Sequence, residues 1–164
     1  MSSCTSGVLY SFSCESILIG FLKSKSCIPS PREELLHGVL CCKNADHVVP
    51  VWFSTDNDAN GLNIVFATGK QSAKGKHLLR DPRVSFSVDD QNPPFSFVMI
   101  EGTAEIKQEP DKDDLLKWAT KIAERYVGKE EGKTHGKEIA ALEGAILVRI
   151  RPTKIIAQKD MMVH

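Results

Sequence analysis

The chain has 164 residues, enough for one domain with a real core. Its 21 Lys and Arg balance 21 Asp and Glu, which excludes a nucleic-acid binder working through bulk positive charge. The longest apolar run, Ile17 to Leu22 with Gly20 inside it, falls far short of the ~18–20 residues that span a bilayer, so no membrane association is expected.

Residues 1–30 are rich in Ser and Cys and show no sustained period. Pro29 and Pro31 close the segment, which reads as a poorly ordered extension ahead of a domain at 31–164. No basic stretch precedes the apolar run, Glu15 stands just before it, and no small-residue cleavage site follows, so a secretory leader is not expected. The five cysteines (Cys4, Cys14, Cys27, Cys41, Cys42) are odd in number and form no CxxC pair. Free thiols in a reducing cytoplasm are the simplest reading. Cys41 and Cys42 would point to opposite faces of a strand, which makes them poor joint metal ligands.

Ser30-Pro31-Arg32-Glu33-Glu34 has an N-cap, a first-turn proline and acids, so a short helix is expected up to Gly38. Val39 to Cys42 reads as a strand, Asn44 to Asp46 as a turn, and His47 to Ser54 as the hairpin partner. Pro50 lies inside that partner and marks an edge, a bulge or a backbone that faces something other than a strand. Thr55 to Gly61 reads as a polar turn, and Leu62 to Thr68 as the next strand. A helix is expected over Ser72 to Leu79, ended by Asp81-Pro82. Arg83 to Asp89 alternates with period two, and Asp89 to Pro94 reads as a loop, with Asp89-Asp90 used for the turn rather than as paired catalytic carboxylates. Phe95 to Ile106 is a long strand with a bend at Gly102.

Lys112 to Val127 is the one long helix: Leu115, Leu116, Ala119, Ile122, Ala123 and Tyr126 recur at helical spacing, with Trp118 as core or dimer packing. Gly128 to Lys137 reads as a charged loop leading into a short helix. Ala145 to Ile150 and Thr153 to Ala157 are a final strand or strand pair, split near Pro152. Hairpin-linked strands without repeating βαβ units predict a mostly β, α+β protein: an antiparallel barrel with helices packed outside.

One stretch carries chemistry. At the end of Ile64-Val65-Phe66 the chain places Thr68, Lys70, Ser72, Lys74 and Lys76 within nine residues, with Gly69 and Gly75 among them. Hydroxyls and ammonium groups at a strand-to-helix junction suit a phosphate, because backbone N–H groups at a helix start are unpaired. Neither GxxxxGK[ST] nor GxGxxG occurs, and an N-capped surface helix with solvated lysines explains the residue types equally well. His47 and His77 look too isolated for a metal site.

HVVPVWF, IVFATGKQSAKGKHLLRDPRVSFSVDD and FVMIEGTAEI, in that order, resemble the pyridoxamine 5′-phosphate oxidase-like split-barrel superfamily, and within it the flavin- and deazaflavin-dependent oxidoreductases. The likeness runs from about His37 to Asp160 and includes WATKIAERY and VRIRPTKIIA. It implies a six-stranded antiparallel split β-barrel with flanking helices, a homodimer, and FMN or coenzyme F420 in a groove at the dimer interface. By position, Thr68, Lys70, Ser72, Ala73 and Lys74 would hold the cofactor phosphate, and Val49, Pro50, Val51 and Trp52 would line the ring. No residue stands out as a general acid.

Departures narrow the substrate. True pyridoxamine phosphate oxidases carry Arg and Lys on the strand that here reads VVPVWF, Ser-Arg-Lys in place of Ser72-Ala73-Lys74, and Gln in place of Phe97. Their carboxy-terminal Arg-Leu-His is missing from KIIAQKDMMVH. The expectation is therefore a cytoplasmic, homodimeric oxidoreductase that passes hydride to a small conjugated organic substrate and is not a pyridoxamine phosphate oxidase. The alternative is a non-enzymatic flavin- or haem-binding module on the same barrel.

Overall fold

A computed structural model describes residues 38–43, 47–90, 93 and 95–161. The extension at 1–30 and the short helix expected before Gly38 lie outside these residues. The strands are β1 (Gly38–Cys42), β2 (Val48–Val51), β3 (Ser54–Asp58), β4 (Gly61–Gly69), β5 (Arg83–Asp90), β6 (Phe95–Lys107) and β7 (Ala145–Met161). The helices are α1 (Ala73–Arg80), α2 (Lys112–Val127) and α3 (Lys129–Ala141). None of them is long and apolar enough to cross a membrane.

All strand pairs are antiparallel, in the order β2-β1-β5-β6-β7-β4-β3. The two edge strands, β2 and β3, are consecutive in sequence, with only Trp52 and Phe53 between them. Three trans peptide links reach at most about 11 Å. The sheet must therefore curl until its edges nearly meet, and because β2 and β3 do not hydrogen-bond, it is a split barrel rather than a closed one. The expected architecture holds, with seven strands among the described residues in place of six. The extra strand arises because the single strand expected over His47 to Ser54 breaks at Trp52, leaving β2 on one edge and β3 on the other.

Side chains alternate into the barrel from every wall: Leu40 and Cys42, Ile64 and Phe66, Val84, Phe86 and Val88, Val98 and Ile100, and Ile146, Val148 and Ile150 are all buried. Leu78 of α1 adds to this core, as do Ile122 and Tyr126 of α2. A second cluster, Val65, Trp118 and Leu147, fixes α2 to the outer face of β4 and β7. That accounts for the unbroken apolar run of β4, which is buried on both faces.

Four expectations are corrected. Thr55 to Asp58 is strand, not turn: Ser54–Asp58 pairs with β4 in full, leaving Ala59 and Asn60 as the turn before Gly61 at φ 109°. Its weak strand composition is offset by ion pairs, Asp56 with Arg149 (2.8 Å) and Asp58 with Arg151 (3.0 Å). The loop expected over Gly128 to Lys137 is helix α3. Gly132 and Gly136 are where α3 presses on α2: a Cβ would lie 2.6 Å from the Cα of Glu124 and 2.2 Å from Oγ1 of Thr120. The closing segment, expected as a strand or strand pair split near Pro152, is one strand without that split, β7, in which Thr153 is the extra residue where Glu101 faces Lys154 and Gly102 faces Pro152. Gly102 takes the bend expected of it, since a Cβ there would meet the Arg151 carbonyl at 2.4 Å. Asp90, placed in a loop by sequence, extends β5 opposite Ser96, one residue past Asp89, which pairs with Phe97.

Candidate functional site

The junction after β4 is built from its own side chains and backbone. Lys70 N–H donates to the Gly144 carbonyl (2.7 Å), tying the turn to the start of β7. Ser72 N–H donates to the Gly69 carbonyl (3.1 Å), and its hydroxyl donates to the same oxygen (2.7 Å). The Ser72 hydroxyl also accepts Gly75 N–H (3.0 Å), the N-cap bond of α1. With that proton committed to Gly69, Thr68 is the donor in the 3.2 Å contact between the two hydroxyls. Gly75 permits this closeness, since a Cβ there would stand 2.2 Å from the Gly69 carbonyl oxygen.

What the turn leaves over is a set of donors. Among the described residues, the N–H groups of Gln71, Ala73 and Lys74 have no hydrogen-bond partner. The Lys74 ammonium is half-buried and makes no ion pair with a described acid. Burial holds its pKa below the ordinary lysine value, partly offset by the Cys42 thiol nearby. Burial also pushes the Cys42 thiol up, with Cys41 adding to the shift and Lys74 opposing it. No acid occupies the first turn of α1. Unpaired N–H groups, the helix dipole and a desolvated ammonium all favour an anion at this point.

The ring-lining residues expected from β2 are divided by the pleat. Val51 is core and Val49 packs against it, whereas Val48 and Pro50 point outward with Val48 65% exposed. Pro50 is on an edge strand, as its missing N–H requires. Trp52 lies past Val51, which pairs with Gly38, while Lys74 is beside Cys42 at the far end of β1. Four residues of strand put these two ends about 13 Å apart. The structure thus brings Thr68, Lys70, Ser72, Ala73 and Lys74 into one turn, and holds Trp52 well away from it.

Sequence reasoning missed the outward face of the sheet. Register places Pro50, Val39, Ser87, Met99 and Ile156 in one row across five strands, and Val48, Cys41, Ser85, Glu101 and Lys154 in the next. The small Ser85 and Ser87 leave a hollow of about 220 Å³ between their larger neighbours. Glu101 and Lys154, which also line it, pair at 3.9 Å. The signal was present in RVSFSVD, where Ser85 and Ser87 alternate with Val84, Phe86 and Val88, but alternation alone does not separate a solvated face from a recessed one.

Cys41 and Cys42 are free thiols on opposite faces of β1, Cys42 in the core and Cys41 in the hollow. No group of three or more His, Cys, Asp or Glu converges among the described residues. His47 and His77, which looked isolated in sequence, have ring centroids 5.0 Å apart.

Against known proteins, the family model described as pyridoxamine 5′-phosphate oxidase matches residues 43–159. The chain belongs to the pyridoxamine 5′-phosphate oxidase family. No curated protein matches it. Its fold is similar to a conserved hypothetical protein from Mycobacterium tuberculosis, at 24% identity and TM-score 0.63, with 85% of this chain and 94% of that one covered. It is similar to a putative pyridoxamine 5′-phosphate oxidase from Listeria innocua, at 18% identity and TM-score 0.57 over 87% and 96% of the two chains. An F420 reductase is similar at 22% identity and TM-score 0.52 over 79% and 98%. Within the family, the matched segment runs from Lys43 beside the β1–β2 turn, through the α1 junction, almost to the end of β7.

Proposed function

We propose that this family member is a flavin- or deazaflavin-dependent oxidoreductase that holds the phosphate of FMN or F420 at the start of α1. The observation that carries this is the donor set of Gln71, Ala73 and Lys74, with a half-buried ammonium that no described acid neutralises. Lys70 adds a second ammonium in the same turn, while Thr68 spends its one hydroxyl proton on the Ser72 oxygen and so supports the turn rather than donating to the anion. Ser72 acts at one remove: its hydroxyl is consumed in shaping the turn, so it orients donors rather than contacting the anion. When bound, the cofactor ring supplies hydride chemistry, and the protein supplies orientation and charge. A small conjugated substrate fits this chemistry, since the residues for pyridoxamine phosphate recognition are missing.

The same reading includes a homodimer formed through the outward face of β1, β5, β6 and β7. Met99 and Ile156, 45% and 42% exposed, are cross-strand partners at the β7 end of the outward row. An isologous interface needs self-complementary charge, and Glu101 beside Lys154 offers both signs at one spot. The hollow along Ser85 and Ser87 would then be enclosed between two copies. A reducing cytoplasmic setting suits the free Cys41 and Cys42.

Titration of the purified chain with FMN and with F420, followed by absorbance and by light scattering for mass, tests the reading. Binding with a dimeric mass is expected, and oxidation of the reduced cofactor by a panel of conjugated acceptors would establish turnover. A monomer that ignores both cofactors would overturn it.

A further inference from the structure

Arg125 is a cation with no counter-charge among the described residues. Its guanidinium makes no hydrogen bond or ion pair with any of them and lies 4.4 Å over the Phe53 ring, beside Tyr126. Burial works against its charge, with only Tyr126 opposing. Lys121, one turn earlier on α2, is engaged: its ammonium donates to the Thr55 carbonyl (2.9 Å) and covers Trp118 at 4.5 Å. Next to Arg125, Trp52 stacks one face on Tyr126 and is still 38% exposed. A half-buried guanidinium whose fork of N–H donors is unused is unfavourable without an anion. An exposed indole beside it adds an apolar face. Together they form a docking surface for a segment that is both acidic and apolar.

The chain itself supplies such a segment. The described residues begin at Gly38, which pairs with Val51, the last residue of β2 and the neighbour of Trp52. Residue 37 is one Cα step of about 3.8 Å further back, past the end of that pairing and so on the Trp52 side. Two aromatic rings separate Gly38 from Arg125. A Cβ on Gly38 would fall 1.9 Å from Phe86 Cζ, Phe86 meets Phe53 at 5.1 Å, and Arg125 covers Phe53. Pro31-Arg32-Glu33-Glu34-Leu35-Leu36-His37 leads directly into Gly38. Glu34 and Glu33 stand four and five residues back, a reach of up to roughly 13 to 17 Å before their side chains are added. We propose that this segment crosses the seam of the split barrel as a latch, with the Glu33 and Glu34 carboxylates on the Arg125 guanidinium and Leu35 and Leu36 over Trp52. Carboxylate and guanidinium match in charge and in planar geometry. The latch ties β1 to α2 across the seam, where β2 and β3 share no ladder, and it does not depend on the cofactor site.

The test uses the full chain and the fluorescence of Trp52, since Trp118 is buried. Acrylamide quenching should rise in Glu33→Lys with Glu34→Lys. It should stay at the wild-type level in Glu138→Lys with Glu143→Lys, which reverses two exposed acids near the end of α3. Adding Arg125→Glu to the first pair should bring the protection back, which a purely structural role for Arg125 would not do. In urea unfolding, the losses caused by Arg125→Gln and by Glu33→Gln with Glu34→Gln should fail to multiply, by about fivefold in the unfolding constant, the upper scale of one exposed ion pair. Unchanged quenching in the Glu33 and Glu34 reversal overturns the latch, as do losses that multiply in full. So does a protection that depends on protein concentration, which would assign the surface to a second copy. A protection that appears only with added inorganic phosphate would assign it to a free anion and overturns the latch as well.

Discussion

Trp52 lies flat on Tyr126, with ring centroids 4.9 Å apart and planes 3° from parallel. One residue joins the edges of the split barrel and the other ends the long helix, so this stack closes the seam from outside. The Tyr126 hydroxyl accepts Phe53 N–H (3.3 Å), and the Arg125 guanidinium covers the Phe53 ring at 4.4 Å. Phe53 in turn meets Phe86 edge-on in the core. Neither edge strand has a ladder partner across the seam, so α2 does the work of the missing hydrogen bonds.

Tyr126→Phe should therefore destabilise the fold by about 1–2 kcal/mol, since the Phe53 N–H loses a buried acceptor. Tyr126→Ala should cost about 3–5 kcal/mol, because it also removes the ring under Trp52. Urea unfolding gives both values. A Phe variant as stable as wild type would mean the hydroxyl contributes nothing at the seam.

The same hydroxyl sets a pH signature. Burial raises the Tyr126 pKa above its ordinary 10.0, with Arg125 and the Phe53 N–H opposing. Folded protein therefore stays protonated where the unfolded chain ionises, and the associated stability is present below pH 10 and lost as pH climbs above it. Cys42, also raised, acts in the same direction from its ordinary 9.0. Lys74, lowered from 10.5, acts oppositely, because its unfolded form keeps the proton longer. Unfolding free energy followed from pH 8 to 11 should decline, with a shallower slope in Tyr126→Phe. An unchanged slope would remove Tyr126 from the alkaline transition.

Much of this was readable from residues and some was not. Period-two alternation found β5 and β6, and helical spacing found α2, because each has one dry face and one wet face. β3 escaped because Asp56 and Asp58 are strand residues only by virtue of Arg149 and Arg151, some ninety residues later in the chain. α3 escaped because Gly132 and Gly136, which signal a loop locally, are needed for contact with Glu124 and Thr120. The phosphate turn was legible as residue types at Thr68 to Lys74. That Ser72 spends its hydroxyl internally, and that His47 meets His77, are long-range facts that no spacing carries.

Gly75 and Gly69 flank the turn and should respond differently. Gly75→Ala forces a Cβ against the Gly69 carbonyl oxygen, so α1 must shift, at about 1–3 kcal/mol. The shift also spoils the N–H cluster, so FMN or F420 affinity should fall with stability. Gly69→Ala meets nothing within 4 Å and should leave both within about 0.5 kcal/mol. Thermal unfolding with and without cofactor separates the two, and a Gly75→Ala protein that matches Gly69→Ala would show that α1 does not start against this carbonyl.

Lys74 is the residue at which stability and binding should part. Its ammonium is half-desolvated and unneutralised by any described acid, so in the ligand-free protein Lys74→Met should be as stable as wild type or more so. The same change should weaken cofactor binding by about 1.5–3 kcal/mol, the scale of a hydrogen bond to a charged group, and adding Lys70→Ala should weaken it further. Ser72→Ala should show the reverse pattern, costing about 1 kcal/mol of stability through the lost cap and weakening binding only as far as the turn loosens. Denaturation midpoints and cofactor titrations on the three proteins test this. If Lys74→Met lost stability while keeping its affinity, the ammonium would be a structural group and the anion would have to lie elsewhere.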